Sequence, residues 1–106
     1  MQILFDQGTP APLRAFLSGH DVVTAFECGW SSLTNGDLLS AAESKAFDVL
    51  ITTDRNLKYQ QNFTGRNIAI LVLSSTNWPR IRPQVARVRD ALASLEAGGF
   101  IEVEIL

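Results

Sequence analysis

The sequence predicts a three-layer α/β domain with a mainly parallel five-stranded sheet in the order 2-1-3-4-5. Three observations carry that prediction. Val49-Leu50-Ile51 and Ile68 to Leu73 are apolar runs with no polar break, as expected for strands covered on both faces. Strand-like and helix-like segments alternate along the chain, which is the pattern of a parallel sheet with crossover helices. After Ile51 the character changes abruptly to Thr52, Thr53, Asp54, Arg55 and Asn56. Polar residues that follow a buried strand mark the carboxyl edge of an open sheet, where ligands bind.

The elements follow in order. Gln2 to Phe5 reads as the first strand and ends at Asp6. Gly8, Pro10 and Pro12 make a loop, and Pro12 suits the first turn of a short helix through Leu13, Phe16 and Leu17. Ser18-Gly19-His20 closes that helix, and Val22 and Val23 mark a second strand ending near Ala25. Phe26 to Leu33 reads as a loop. Thr34 or Asn35 caps the next helix, with Asp37 in its first turn, where the dipole favours negative charge. Leu38, Leu39, Ala42 and Ala46 supply its buried stripe.

The third strand is Val49-Leu50-Ile51. Leu57 to Phe63 reads as a short helix or turn ended by Gly65, and Ile68 to Leu73 is the fourth strand. A last helix starts at about Arg80 or Pro83 and runs to Glu96, with Ile81, Val85, Val88, Leu92 and Leu95 on its apolar side. Gly98-Gly99 ends it. Phe100 to Leu106 is the fifth strand. Ile101, Val103 and Ile105 alternate with Glu102 and Glu104, as in an edge strand with one wet face.

At 106 residues and 46% apolar composition, one domain with a real core is expected. No apolar run is long enough to span a bilayer. The first residues lack a basic region and a cleavage site, so a signal peptide is not expected. The single cysteine, Cys28, permits no internal disulfide, and both points suggest the cytoplasm. Cys28 reads as a small packing residue.

A net charge of −2 argues against a protein that coats nucleic acid. The charge is uneven, however. Residues 1–53 hold two basic residues and six acids, and residues 54–106 hold seven basic residues and five acids. That asymmetry suits a metal-dependent enzyme acting on a polyanion, or plain surface charge.

Three acids occupy meaningful positions: Asp6 after strand 1, Asp37 at a helix start and Asp54 after strand 3. Strand order 2-1-3-4-5 sets strands 1 and 3 side by side and brings Asp6 near Asp54. Converging carboxylates repel, and Mg²⁺ or Mn²⁺ relieves the repulsion. Such a site activates water and stabilises charge during attack on a phosphodiester. Each acid also has a structural reading: Asp6 in a turn, Asp37 on the helix dipole, Asp54 as a cap. Arg55 and Lys58 lie beside the site, positioned to touch a substrate phosphate. Arg80 and Arg82 oppose the dipole at a helix start, which points to phosphate contact, an interface or solvation.

The strings Ile-Leu-Phe-Asp, Gly-His-Asp-Val-Val-Thr, Asn-Gly-Asp-Leu-Leu and Asp-Val-Leu-Ile-Thr-Thr-Asp-Arg-Asn-Leu carry a resemblance. Over nearly the whole chain, the sequence resembles the small stand-alone bacterial PIN-like domains. Its most specific part is Leu-Ile-Thr-Thr-Asp-Arg-Asn-Leu. The resemblance implies an Mg²⁺- or Mn²⁺-dependent ribonuclease, of a kind often found as the toxin of a toxin–antitoxin pair. It matches Asp6, Asp37 and Asp54 to the metal-holding acids, and Thr53 to a hydroxyl that orients water or an acid. Single-stranded RNA and an antitoxin-like protein are the implied partners; Thr53 and Asn56 join Arg55 and Lys58, which stand beside the acids, as expected substrate contacts, and a second copy of the chain is a further expected partner.

Two positions depart from that pattern. Relatives often carry an asparagine or acid where Gly8 stands, and many carry an acid where Asn56 stands. These departures support an alternative, a non-catalytic PIN-like module that works through protein binding or dimerisation. A receiver domain does not fit, because Gln7 stands where a second acid is needed and strand 5 has no lysine. No Gly-rich turn follows strand 1 to make a dinucleotide site. His20, the only histidine, is expected at the amino end of the sheet, away from the acids. Trp30 and Trp78 are expected to be partly buried, or to form an interface if exposed together. Tyr59, Gln60, Gln61 and Asn62 form a polar stretch that lines the cleft or makes a surface turn.

Overall fold

Strand β1 (Gln2–Phe5) pairs in parallel with two neighbours, β2 (Asp21–Thr24) and β3 (Val49–Thr52), in the computed structural model. Strands β4 (Ala69–Leu73) and β5 (Phe100–Val103) extend the sheet from β3. The sheet is all-parallel in the order β2-β1-β3-β4-β5. The structure describes residues 1–55 and 66–106. The expected helix or turn at Leu57 to Phe63, the polar stretch from Tyr59 to Asn62, and the site candidates Asn56 and Lys58 lie outside the described residues.

The register explains how one short sheet makes two cores. Leu4 pairs with Leu50, and Leu50 with Ile70. These side chains point to one face, where they pack with Leu38, Leu39 and Ala42 of helix α1 (Asn35–Ser44). The alternate residues Ile3, Phe5, Val49, Ile51 and Leu71 point to the other face. There Leu13 and Leu17 cover them from the 3₁₀ segment Ala11–Phe16 and its end. Ile81 comes from helix α2 (Trp78–Ile81), and Val88 and Leu92 from helix α3 (Val85–Ser94). Both faces are dry, which is why β4 is apolar at every position and β3 at every position but its last, Thr52. None of the described helices is long and apolar enough to cross a membrane.

Several boundaries differ from expectation, each for a local reason. The short helix after β1 is 3₁₀, with Pro12 in its first turn. The expected continuous last helix is broken. Pro79 and Pro83 each sit at the start of a new element, so α2, a 3₁₀ turn at Arg82–Gln84 and α3 follow one another. A proline inside a helix removes a donor and crowds the preceding turn, so the chain restarts instead. Helix α3 stops at Ser94 because Leu95 is extended. Strand β5 stops at Val103, but Ile105 N–H then donates to Ser74 Oγ at 2.7 Å and stays buried. Glu102 and Glu104 are exposed, as the alternation predicts.

Ala46 is not part of the α1 stripe. It has φ +62° and is exposed. Phe47 N–H donates to Ala42 O and Ala46 N–H to Glu43 O, both at 3.0 Å. This paired arrangement closes the helix carbonyls and turns the chain towards β3.

Candidate functional site

The site grows from the carboxyl ends of β1 and β3. Asp6 N–H donates to Ile51 O at 3.1 Å, so the ladder continues one residue past Phe5 and holds the Asp6 backbone. The half-buried Asp6 carboxylate is then held on both oxygens. Oδ1 accepts from Thr9 N–H at 3.1 Å and lies 2.8 Å from Thr9 Oγ1. Oδ2 accepts from the Thr52 hydroxyl. Thr9 Oγ1 is also 2.8 Å from Ile51 O, so its one proton serves either acceptor.

Thr52 is 1% exposed. Its hydroxyl donates to Asp6 and accepts from Asp54 N–H at 3.1 Å. One buried hydroxyl thus joins the two acids across adjacent strands, through the side chain of Asp6 and the backbone of Asp54. The resemblance assigned the orienting hydroxyl to Thr53, and the structure gives that bonding to Thr52. A signal for it lay in the sequence: a threonine ending a fully buried strand has to satisfy its hydroxyl. Thr9 could have been found from the Asp-x-x-Thr spacing, which suits a side chain accepting from the backbone three residues on.

Thr53 has a different neighbour. A Cβ placed on Gly8 would lie 2.4 Å from Thr53 Oγ1. The Thr53 hydroxyl therefore takes the space that a side chain at position 8 would need.

Asp37 stands in the first turn of α1 and is exposed, 3.3 Å from the Thr34 hydroxyl, which donates to it. Its placement matches the helix-dipole reading. Among the described residues, no three His, Cys, Asp or Glu side chains come together as a metal-holding group. Arg55 is exposed and lies 3.6 Å from Glu102 of β5, the edge strand.

Two hollows open on Asp6. One of about 140 Å³ is lined by Asp6, Gly8, Ala25, Trp30 and Leu38 among others, and so reaches the residue after Asp37. The other, of about 440 Å³, is bounded by Gly8, Thr9, Ala11, Thr24, Phe26 and Thr76 as well as Asp6. The donors here are carboxylate and hydroxyl oxygens, the class a hard divalent cation takes. Asp6 has about four lone-pair sites and at most three donors, so it retains capacity for a cation. Mg²⁺ takes one or two carboxylates and keeps several waters; Asp6 opens on both hollows, and Asp54 is tied to it through its backbone N–H and the Thr52 hydroxyl.

The remaining candidates fall elsewhere. His20 Nδ1 is 3.2 Å from the Met1 amino group, at the amino end of the sheet as expected. Trp30 packs edge-on to Phe47 with centroids 6.2 Å apart, and Trp78 tilts against Phe16 at 5.5 Å. The two tryptophans lie against cores on opposite faces, so they do not share one surface. Cys28 packs partly buried against the α1 side. Burial, and then the Glu27 carboxylate, push its thiol up, which disfavours a reactive thiolate.

Comparison with family models, with curated proteins and with solved structures finds no match to this chain.

Proposed function

We propose that this chain is a metal-dependent ribonuclease that hydrolyses RNA phosphodiesters, in the manner its PIN-like resemblance implies. The observation that carries the reading is the Thr52 hydroxyl between Asp6 and Asp54 at the strand order's switch point. Asp6 and Asp54 would hold Mg²⁺ or Mn²⁺, with Asp37 the third acid of the resemblance. When bound, the cation supplies charge to offset the phosphate and acidifies water. Thr52 keeps one lobe of Asp6 directed, and Thr9 keeps the other. Arg55 is the described cation beside Asp54, and Glu102 holds it at the cost of some of its charge. The toxin role and an antitoxin-like partner follow from the same resemblance.

The test is cleavage of single-stranded RNA by the purified chain in Mn²⁺. Asp54→Asn and EDTA should each abolish it. Cleavage that survives both sinks the mechanism.

A second reading, a non-catalytic module acting through a protein partner or a homodimer, draws on Gly8. The position where relatives often carry an asparagine or acid has its side-chain space filled by Thr53. That reading predicts no RNA cleavage and a solution mass above a monomer. Saturable Mn²⁺ binding that is lost in Asp6→Asn counts against it.

A further inference from the structure

A groove of about 570 Å³ lies apart from the acids, lined by Phe16, Trp78, Pro79, Arg82 and Pro83. Its size is that of a ligand site. Residues 80–89 hold four arginines and no acid, in a chain whose net charge is −2. Arg80 and Arg82 are exposed, and among the described residues neither forms an ion pair. Arg80 lies in the last turn of the four-residue α2, and Arg82 opens the 3₁₀ turn that follows it. Arg89 reaches Phe16 O at 3.5 Å and adds charge to the same side.

The groove and the Asp6 hollow are built from neighbouring stretches of chain. Ala11 lines that hollow and begins the 3₁₀ segment whose last residue, Phe16, lines the groove. Thr76 lines the hollow two residues before Trp78 lines the groove. On the hollow's wall stands Phe26, 76% exposed although large and apolar. The order along this surface is aromatic, acid, aromatic, arginine. An acidic peptide would use the arginines and leave the exposed Phe26 unexplained. A polymer with a flat base and a phosphate on every unit uses both aromatics and the arginines, because bases stack on aromatic rings and phosphates pair with arginine.

We infer that single-stranded RNA binds along a track from Phe26, across the Asp6 hollow, to the Phe16–Trp78–Arg82 groove. Bases stack on Phe26 and Trp78, and phosphates lie against Arg80 and Arg82. The track extends the ribonuclease reading above and rests on it for the chemistry, while the binding stands by itself.

The experiment measures anisotropy of a fluorescein-labelled oligouridylate octamer with the whole chain in EDTA, where cleavage does not interfere. Wild type should bind with an affinity that falls steeply with salt. Arg80→Glu/Arg82→Glu should weaken binding at least about tenfold. It should also flatten the logarithmic salt slope by about 1.4, at about 0.7 per phosphate contact. Phe26→Ala should weaken binding by about 5- to 160-fold, the range of one lost base stack. All three side chains are exposed, and unchanged circular dichroism and melting should accompany both variants. Equal binding of polyglutamate, unchanged affinity in both variants, or no binding at low salt each overturn the track. Binding by a wild type that cleaves nothing overturns the ribonuclease reading and leaves the track standing.

Discussion

Thr52 donates its hydroxyl proton to the Asp6 carboxylate of the neighbouring strand while accepting from Asp54 N–H. Thr53, next in the chain, bonds neither acid among the bonds described and instead faces Gly8. Adjacent residues at a strand end point in opposite directions, so identical side chains have different work.

Thr52→Val should therefore cost about 2 kcal/mol, the scale of a lost hydrogen bond to a charged group in a buried setting. It keeps the shape of the side chain, so packing is not the cause. Thr53→Val should cost less than Thr52→Val, since no bond to an acid is lost and only its packing beside Gly8 changes. Urea denaturation of both variants checks the contrast, and equal losses would refute it.

The shared space at Gly8 and Thr53 predicts energetic coupling. Gly8→Ala should destabilise, because the new Cβ forces the Thr53 hydroxyl off its position. Turning a side chain off its rotamer costs on the order of 1 kcal/mol. In Thr53→Ala the obstructing oxygen is gone, and Gly8→Ala should then be close to neutral. A double-mutant cycle that returns no coupling would remove the steric account. The same pair predicts that Gly8→Asp is accepted better with Thr53→Ala than alone.

Ala46 occupies a left-handed position at the end of α1 that glycine fills without strain. Ala46→Gly should stabilise the protein by about 1 kcal/mol, since an L-residue there carries a penalty of about 1–2 kcal/mol. The residue is exposed and nothing packs on its methyl group in the core clusters. A lower urea midpoint for the glycine variant would contradict this.

The exposed Glu27 predicts a pH dependence. The Arg14 guanidinium donates to its carboxylate, as does Thr24 N–H, and together they hold it below the usual carboxylate value. A lowered folded-state pKa stabilises the native form above the unfolded pKa. The contribution is then lost as pH falls through the folded pKa. The stability gap between wild type and Glu27→Gln should be present at pH 7 and shrink towards pH 3. A gap that grows on acidification would reverse the assignment.

The order β2-β1-β3-β4-β5 was legible because apolar runs at Val49 to Ile51 and Ile68 to Leu73 demand cover on two faces. Chirality then leaves few ways to connect them. The positions of Asp6 and Asp54 at strand ends, and of Asp37 in a helix turn, were legible for the same reason: local pattern marks where an element stops. The broken last helix is written in Pro79 and Pro83, and the apolar stripe through Ile81, Val88 and Leu92 conceals it, because that stripe continues across the breaks. Ala46 continues a helical stripe in the same misleading way.

The sequence by itself determined the layers, the strand order and the carboxyl edge on which the acids stand. Which threonine serves Asp6, and which space Gly8 lacks, were decided only by the tertiary structure. Thr52 and Thr53 are chemically identical, and only the pairing of β3 against β1 turns one towards a carboxylate and the other towards a glycine.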